Sequence, residues 1–436
     1  MADTPTVNDA PRAAQEVVIT DQPTVRAEGG VLPDQQIGRT GLNQSMGYIY
    51  EDVLTKLQGA SGRKIYDEMG SNDPMVGALL FAIDKMVRNV EYTLRPADHA
   101  KGEEAAELTE SAMGDMEHPW SEFISEVLSM LQFGFAPFEP VYKMRDDGRI
   151  GWKKLPIRAQ RTLDRWQFDE DGELEGMWQN APPHYRLTMI PIERLVNFRT
   201  TSIKDNPEGE SVIRNAYWPW LVKHNIEKIE AIGIERELNG IPFFYHPAAW
   251  SSASATANQI AALSALKEMG ERLRGNEQSC VLLPRILDEN GKDLLEFKLI
   301  KNEGKRSIDV NTTITRKNGE ILMTVLADFI ILGHENSGSW ALADSKTSVF
   351  AVALGAWLKT IAGTINRHLF PRLMEANALP VEAAPTIVPG DIETPDLGKL
   401  GDFLAKVYPG GFIMPDIDLE NELRRMAGLP QSISEE

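Results

Sequence analysis

Zinc-binding helices often carry two histidines three or four residues apart, so histidine spacing is a direct test for metal chemistry. The seven histidines lie at positions 99, 118, 184, 224, 246, 334 and 368. No two of them are three or four residues apart, so no pair can close on a metal from one helix. The sequence predicts no metal site and gives no support for zinc hydrolysis.

A short acidic string, Asp169-Glu170-Asp171-Gly172-Glu173, superficially resembles a calcium-binding loop. It lacks the twelve-residue spacing that ends in a bidentate glutamate. Apolar residues flank Asp171-Gly172 on both sides, and this dipeptide is typical of a tight β-hairpin turn. We therefore interpret the string as a turn and not as a calcium site.

Motifs for nucleotides and for activated nucleophiles are also missing. The sequence contains no Walker A motif, no GxGxxG after a strand and no GxSxG elbow. The single cysteine, Cys280, excludes an internal disulfide, and its thiol is better explained as a small buried hydrophobe than as a nucleophile. We predict no catalytic residue, no cofactor and no cofactor-binding residue. Distant carboxylates would escape every spacing rule, so a soluble enzyme with an unrecognised carboxylate site is the alternative.

Two segments are candidates for functional contacts. The run Tyr217-Trp218-Pro219-Trp220 offers aromatic faces for base stacking, but no basic residue is interleaved among the rings, so core packing explains it better. The segment from His334 to Trp340 carries polar residues, a glycine between two serines and one tryptophan. Its composition fits a functional loop and also a plain surface connection.

The net charge of the chain has the wrong sign for a protein that binds DNA tightly. The 436 residues carry a formal net charge of −19, whereas tight nucleic-acid binding needs lysine and arginine to neutralise phosphates. The ordinary interpretation of such acidity is solubility. The length and the 42% of hydrophobic residues are sufficient for about two or three folding units.

No signal peptide or membrane span is predicted. The N-terminus lacks a basic region followed by an apolar one. The nearest uncharged stretch, 247–266, is rich in Ser, Ala, Thr, Asn and Gln and would insert poorly into a bilayer. We therefore expect no membrane among the partners of the chain, and a reducing cytoplasm suits its single cysteine.

Residues before position 210 predict a mixture of helices and hairpins. Asn72-Asp73-Pro74 supplies a cap and an N1 proline for a helix that continues to Val90. A second helix is expected over 120–133, ended by Gly134. Two β-hairpins follow, with turns at Asp147-Gly148 and Asp171-Gly172. In the second hairpin, the residues expected to face inward are Trp166, Phe168, Leu174 and Met177.

Longer helical patterns follow. One covers 211–239, where Pro219 either kinks the helix or marks its true start. At about 1.5 Å per residue this segment could reach roughly 40 Å, which favours an oligomeric explanation. Further helices are expected over 261–273, 318–332 and 345–377, the last bent by Pro371, with short strands at 280–283 and 294–299. Residues 1–45 suggest a mobile arm, and the last sixty suggest a proline-rich linker and two short helices.

Four segments in this order resemble the portal proteins of tailed bacteriophages, in particular the Mu-like branch. They are the paired hairpins at 147–179, the segment GESVIRNAYWPWLVKHNIEKIEAIGIERELNGIP at 209–242, the run FIILGHENSGSWALADS at 329–345, and LPQ after LENELRRMAG at 419–431. None is as specific as a Walker A motif, but their co-linear order matches the family from about residue 45 onward.

The resemblance implies a division of the chain into parts. It implies an α+β portal fold with a wing, a long helical stem, a small α/β clip and a short helical C-terminal crown. The parts would be a flexible N-terminal arm at 1–45, wing at 46–208, wing-to-stem helix at 209–240, clip at 241–312, second stem helix at 313–332, tunnel loop at 333–344, long wing helix at 345–378 and crown region at 379–436. Pro219 inside the wing-to-stem helix departs from the pattern expected of a continuous helix.

The resemblance also implies a function and partners. Portals of this kind form rings, usually of twelve subunits, at one capsid vertex, and double-stranded DNA passes through them without sequence specificity during packaging and ejection. The implied partners are the major capsid protein, the terminase large subunit and the head–tail adaptor, with localisation in the virion and, during assembly, the host cytoplasm. A head-completion or adaptor ring is the structural alternative, but those chains are generally much shorter.

The implied channel residues lie in the tunnel loop. They are His334, Glu335, Asn336, Ser337, Gly338, Ser339 and Trp340. Gly333 and Gly338 permit backbone angles that other residues resist, so the loop could adjust around DNA. We expect Trp340 to anchor the loop against the following helix, because a ring of exposed tryptophans would grip the duplex.

Overall fold

The computed structural model describes residues 24–27, 30–33, 39–239, 243–272, 281–285, 309–327, 340–392, 406 and 417–426. Helices and strands are interleaved along the chain, which confirms the α+β class. The helices described are α1 (Gly59–Asn72), α2 (Pro74–Arg88), α3 (Gly102–Gly114), α4 (Trp120–Val127), α5 (Ser129–Phe133), α6 (Tyr217–Asn239), α7 (Ala257–Arg272), α8 (Val310–Met323), α9 (Trp340–Thr364), α10 (Phe370–Ala376) and α11 (Ile417–Met426).

The strands pair mostly in twos, and β9–β11 form one three-stranded sheet in the order β11-β10-β9. The strands described are β1 (Thr24–Ala27), β2 (Gly30–Pro33), β3 (Gln44–Ser45), β4 (Tyr48–Ile49), β5 (Tyr92–Arg95), β6 (Phe135–Phe138), β7 (Val141–Met144), β8 (Ile150–Lys154), β9 (Leu163–Phe168), β10 (Leu174–Ala181), β11 (Arg186–Pro191), β12 (Val196–Arg199), β13 (Phe243–Pro247), β14 (Val281–Arg285) and β15 (Thr386–Pro389). Within the predicted mobile arm, β1 pairs antiparallel with β2.

Asp73 alone separates α1 from α2. Its carboxylate accepts hydrogen bonds from the N–H groups of Met75 at 2.8 Å and Val76 at 3.1 Å, and Pro74 occupies the first position of α2. This confirms the predicted cap and N1 proline. The helix ends at Arg88, two residues before the predicted end.

Both predicted hairpins are present. β7 pairs with β8 around Gly148, which has a φ of +79°. β9 pairs with β10 around Gly172, and Trp166 lies opposite Met177 in the register. Trp166 and Met177 are fully buried, while Phe168 and Leu174 pack against their cluster from its edge. The four inward-facing residues of the second hairpin are therefore confirmed.

Gly134 ends α5 and lies against the chain that precedes α6. The helix predicted over 120–133 is divided at Leu128 into α4 and α5, and Gly134 has a left-handed φ of +96°. A Cβ at Gly134 would lie 2.3 Å from the carbonyl oxygen of Glu208. Strand β6, which follows, pairs with β12 instead of joining the first hairpin. Gly134 is thus required both by its backbone conformation and by a close backbone approach.

The main core is built around α9 and α10. A π-helical turn at Ile365–Leu369 joins these helices and ends two residues before Pro371, whose missing N–H cannot bond to the preceding turn. The predicted disturbance at Pro371 is confirmed, but α9 begins at Trp340 and not at residue 345. The buried residues of this segment that belong to the main core include Phe350, Leu354, Leu358, Ile361, Ile365 and Leu369.

The same segment changes one expectation about membranes. Val349–Ala376 is long and apolar enough to cross a bilayer by length and composition, and it is more apolar than 247–266, the stretch that the sequence analysis considered. Ten of its side chains lie buried in the main core of the chain. A core helix that is also apolar on its outer side passes the same test of length and composition.

The chain returns to the main core after α10. β15 pairs antiparallel with β5, so that Ile387 lies opposite Leu94, and Ile387 is fully buried. The sequence predicts a proline-rich linker here and gives no indication of this strand. Two strands far apart in sequence provide no local signal for their pairing.

Residues 243–285 contain a short βαβ unit. β13 pairs in parallel with β14, and α7 lies between them in sequence. The predicted helix at 261–273 and strand at 280–283 are confirmed with shifted ends, whereas β13 was missed. The predicted strand at 294–299 lies outside the described residues.

Helix α8 corrects the bounds of the helix predicted over 318–332. It begins eight residues earlier, at Val310, because the Asp309 carboxylate accepts from the N–H of Asn311 at 3.0 Å and caps it. It ends at Met323, before Leu326 adopts a left-handed φ of +62° and the Ala327 N–H bonds back to the Leu322 carbonyl. The left-handed position after a helix is usually glycine, so a leucine at position 326 does not predict a helix end.

The backbone approach at Gly134 generates a stability prediction. We expect Gly134→Ala to lower the free energy of unfolding by at least about 3 kcal/mol, because the methyl group meets the Glu208 carbonyl in addition to the left-handed strain. Gly172→Ala is the matched control, with a φ of +91° and no atom within 4 Å of a new Cβ. It should cost only about 1–2 kcal/mol in denaturant titrations of the unassembled chain. Equal losses would show that the approach is not a constraint.

Candidate functional site

The predicted long helix begins at Tyr217 and not at residue 211. A 3₁₀ turn at Arg214–Ala216 precedes α6, and Pro219 lies in its first turn, where no intrahelical N–H is required. Of the two alternatives, Pro219 therefore marks the true start. Tyr217 and Trp220 are buried, as the core-packing interpretation predicted, but Trp218 is exposed and corrects that interpretation.

A buried ion pair holds the first turns of α6 to the α1–α2 junction. The Lys223 ammonium donates to the second carboxylate oxygen of Asp73 at 2.8 Å. Each side chain is only 5% exposed. Since the first Asp73 oxygen accepts the two N–H groups of α2, the carboxylate is fully hydrogen-bonded and the lysine charge is neutralised.

Helix α8 packs beside α6 at this point. Ile321 of α8 belongs to the same buried cluster as Tyr217 and Trp220 of α6 and Tyr66 and Met69 of α1. The two long helices that flank residues 240–309 are therefore anchored on one apolar cluster.

A cavity of about 300 Å³ lies beside the segment that leads into α6. Its lining includes four carboxylates, those of Glu51, Asp52, Glu208 and Glu210. Three of them are paired with cations: Lys204 with Glu51 at 2.9 Å, Arg214 with Asp52 at 2.8 Å, and Arg63 with Glu208 at 3.2 Å. Because it brings these carboxylates together, this cavity is a candidate within the described part of the chain for the unrecognised carboxylate site.

Glu208 is a half-buried acid with fixed partners. Burial raises the pKa of its carboxyl, although the Arg63 guanidinium and the Trp166 N–H act in the opposite direction. Burial likewise lowers the pKa of Arg63, against the attraction of Glu208. Arg63 also donates to the Leu163 carbonyl at 2.8 Å, and Trp166 donates to the same Glu208 oxygen at 3.2 Å. We interpret Glu208 as a link between α1 and the hairpin sheet, since fixed partners occupy one of its oxygens.

The pKa of Glu51 is shifted in the opposite direction from that of Glu208. Burial alone would raise its pKa, but the Asn43 N–H and the Lys204 ammonium lower the pKa below the usual value of a glutamate. The Asp52 hydrogen bonds raise the pKa of Arg214 further, so that pair stays ionised. The cavity lining therefore consists of charge pairs that hold loops together, which is an arrangement expected of a scaffold.

The predicted tunnel-loop residues lie mostly outside the described residues. His334, Glu335, Asn336, Ser337, Gly338 and Ser339 belong to residues 328–339, of which nothing is described, and Trp340 is the first residue of α9. Both flanks of this segment reach the main core: Val325 and Ala327 before it, Phe350 and Leu354 after it. Among the residues described, no group of three or more His, Cys, Asp or Glu side chains could hold a metal.

The family described as the portal protein of Mu bacteriophage matches residues 63–429. The chain belongs to this family. The portal family is structural and not enzymatic. No curated protein matches the chain in sequence.

Two solved structures resemble this portal-family chain. A chain from the neck of an empty gene transfer agent particle, computed with C6 symmetry, is similar with a TM-score of 0.51 and 14% identity, over 84% of this chain and 94% of that one. A chain from the virion of a native gene transfer agent particle gives a TM-score of 0.49 and 14% identity, over 85% and 94%. The first likeness shows a shared fold.

Sequence reasoning missed Lys223, the residue that anchors α6. Its signal was present, because a lysine lies three residues after Trp220 on a face that is otherwise aromatic and buried. A cation on an apolar helical face needs a buried partner. The candidate acids were too numerous to identify Asp73 without the structure.

We expect the two partners of the ion pair to contribute unequally to the free energy of unfolding. Asp73→Ala should lower the free energy of unfolding by about 3–5 kcal/mol, because it leaves the buried Lys223 ammonium without a partner. Lys223→Met should cost at least about 1 kcal/mol less, since Asp73 retains its two N–H donors. Urea titrations of the unassembled chain at pH 7 measure both. Glu320→Ala, which breaks the more exposed pair with Lys317, is the control and should cost less than about 1 kcal/mol. A cost for Asp73→Ala as small as that of the control would contradict the anchoring role.

Proposed function

We propose that this chain is the ring subunit of a DNA channel at one capsid vertex, through which a phage-like genome is packaged and ejected. The observation that carries the proposal is the match of residues 63–429 to the portal family. The described fold supports it, because the two helices α6 and α8 are anchored on one buried apolar cluster.

The proposed ring docks partners and hydrolyses nothing itself. The terminase large subunit and later the head–tail adaptor would bind at the clip, and the major capsid protein would surround the wing. The βαβ unit of β13, α7 and β14 lies in the proposed clip, and α6 and α8 form the proposed stem. We propose residence in the virion after assembly in the host cytoplasm, with no enzymatic activity and no membrane partner.

The negative net charge of the chain is consistent with a channel from which DNA must be released. Twelve subunits would carry 12 × −19 = −228 formal charges. An acidic wall repels phosphates, so the duplex would pass without sticking. Generic affinity for DNA is therefore not needed for this function.

A measurement of mass tests the ring. Twelve copies of the 48.6 kDa chain form a particle of about 580 kDa, which mass photometry and negative-stain images should show as a ring with a central hole. A soluble enzyme would remain a small particle. A chain that stays monomeric across concentration and salt, and also in the presence of capsid protein, would overturn the proposal.

The tunnel loop is tested by two variants. We propose that residues 333–344 line the narrowest part of the channel, and that Trp340 anchors the loop at the start of α9. Ser337→Ala with Ser339→Ala should leave ring assembly and DNA retention intact, because small neutral contacts are exchanged for smaller ones. Trp340→Ala should preserve the ring but impair packaging or DNA retention in particles. A ring map with this loop more than about 11 Å, or two helical turns, from any channel-facing atom would exclude the role.

A further inference from the structure

The cavity beside the segment that leads into α6 carries more negative charge than its ion pairs neutralise. Four carboxylates line it, and Lys204, Arg214 and Arg63 neutralise three of them. The fourth, Glu210, is exposed to solvent and forms no ion pair with any residue that the structure describes. Arg214 is already held by both Asp52 oxygens, at 2.8 and 3.0 Å. One negative charge of the lining is therefore open to a ligand.

Glu208 offers a second open acceptor to this cavity. Its first oxygen holds the Arg63 guanidinium and the Trp166 N–H, each at 3.2 Å. Its second oxygen has no hydrogen-bond partner within the described part of the chain, and the side chain is 18% exposed. This oxygen is therefore available to a hydrogen-bond donor that enters the cavity.

Tyr66 supplies a third acceptor, and it distinguishes the cavity from a simple group of acids. It lines the cavity and is only 6% exposed, yet its hydroxyl makes no hydrogen bond to any described residue. Burial raises the pKa of this hydroxyl, and the charges of Asp52, Glu210 and Glu208 act in the same direction, whereas the Arg214 charge opposes them. The hydroxyl therefore lies among these acids and stays neutral. A buried hydroxyl without a partner is costly, and a ligand in the cavity would complete its hydrogen bonds.

The lining favours an organic cation over a metal ion. Within the described ranges, no group of three or more His, Cys, Asp or Glu side chains could hold a metal. Apolar side chains share the cavity with the acids, among them Ile49, Leu57, Val53 and Ile203. The volume of about 300 Å³ is at the lower end of the range for small-molecule sites. A ligand with a charged head and a short hydrocarbon chain matches both kinds of surface.

The geometry points to this cavity as a binding site for a primary alkylammonium ion. An ammonium carries three N–H donors on one nitrogen, and the open acceptors are Glu210, the second Glu208 oxygen and the Tyr66 hydroxyl. Its single positive charge matches the one carboxylate that the ion pairs leave over. The hydrocarbon chain then lies against Ile49 and Leu57. Free amines carry this group, and so does a lysine side chain of another polypeptide.

Saturation-transfer NMR on the full-length chain tests the site, with n-butylammonium as the probe in about 150 mM NaCl. We expect a Kd of about 1 mM or tighter. Tetramethylammonium carries the same charge without an N–H donor and should bind at least about tenfold more weakly. Equal binding of the two probes would reduce the effect to the general acidity of the chain and overturn the proposal.

Two substitutions each remove one acceptor. Tyr66→Phe deletes only the hydroxyl and should raise the Kd of n-butylammonium by about five- to tenfold, and Glu210→Gln by about tenfold or more. Glu107→Gln changes an exposed residue of α3 that does not line the cavity, and this matched control should change the Kd by less than about twofold. Tyr66→Phe should leave the melting temperature unchanged or higher, because the lost hydroxyl makes no bond to a described residue. Weaker binding by this variant is then separable from unfolding.

The outcomes decide both the site and the source of its ligand. Wild-type affinity in either Tyr66→Phe or Glu210→Gln, or an equal loss in all three variants, overturns the assignment. Loss in these two alone supports it. Nα-acetyl-lysine N-methylamide, a capped lysine, then identifies the source. Binding at least about tenfold tighter than n-butylammonium indicates a polypeptide lysine, and similar or weaker binding indicates a free amine.

Discussion

The Asp73–Lys223 pair is the contact on which the rest of the arrangement depends. One carboxylate caps α2 with two N–H bonds and neutralises a lysine of α6 at 2.8 Å, in a site where both side chains are only 5% exposed. A buried lysine is stable only with such a partner, so this pair holds the first turns of α6 against the α1–α2 junction. The position of α8 follows, because Ile321 packs into the same cluster.

Most of the carboxylates around the cavity are paired with cations of the same chain. Around the cavity, Glu51, Asp52 and Glu208 each face a cation, and their pKa values or those of their partners move with burial and pairing. Perturbed pKa values also occur at active sites, but here the partners are fixed residues of the scaffold. The portal family, to which the chain belongs, is structural.

Local signals predicted much of the fold, and long-range signals were the ones that failed. The Asp73 cap, the two hairpins and the stop at Gly134 depend on residues within a few positions of each other, and all are confirmed. The end of α8 was missed because Leu326 takes a left-handed conformation that normally selects glycine. The pairing of β15 with β5 was missed because its partner lies almost three hundred residues away in sequence.

The sequence by itself determined the acidity and many of the local elements, because helix caps, turn dipeptides and net charge are properties of neighbouring residues or of the whole composition. The portal family was indicated separately, by the resemblance of four segments in co-linear order. Only the tertiary structure decided which lysine is buried against Asp73, and which isoleucines of α6 remain uncovered. Periodicity shows that a helix has an apolar face but not what covers it. The reason is physical: burial and ion pairing depend on distances across the fold, which no spacing along the chain specifies.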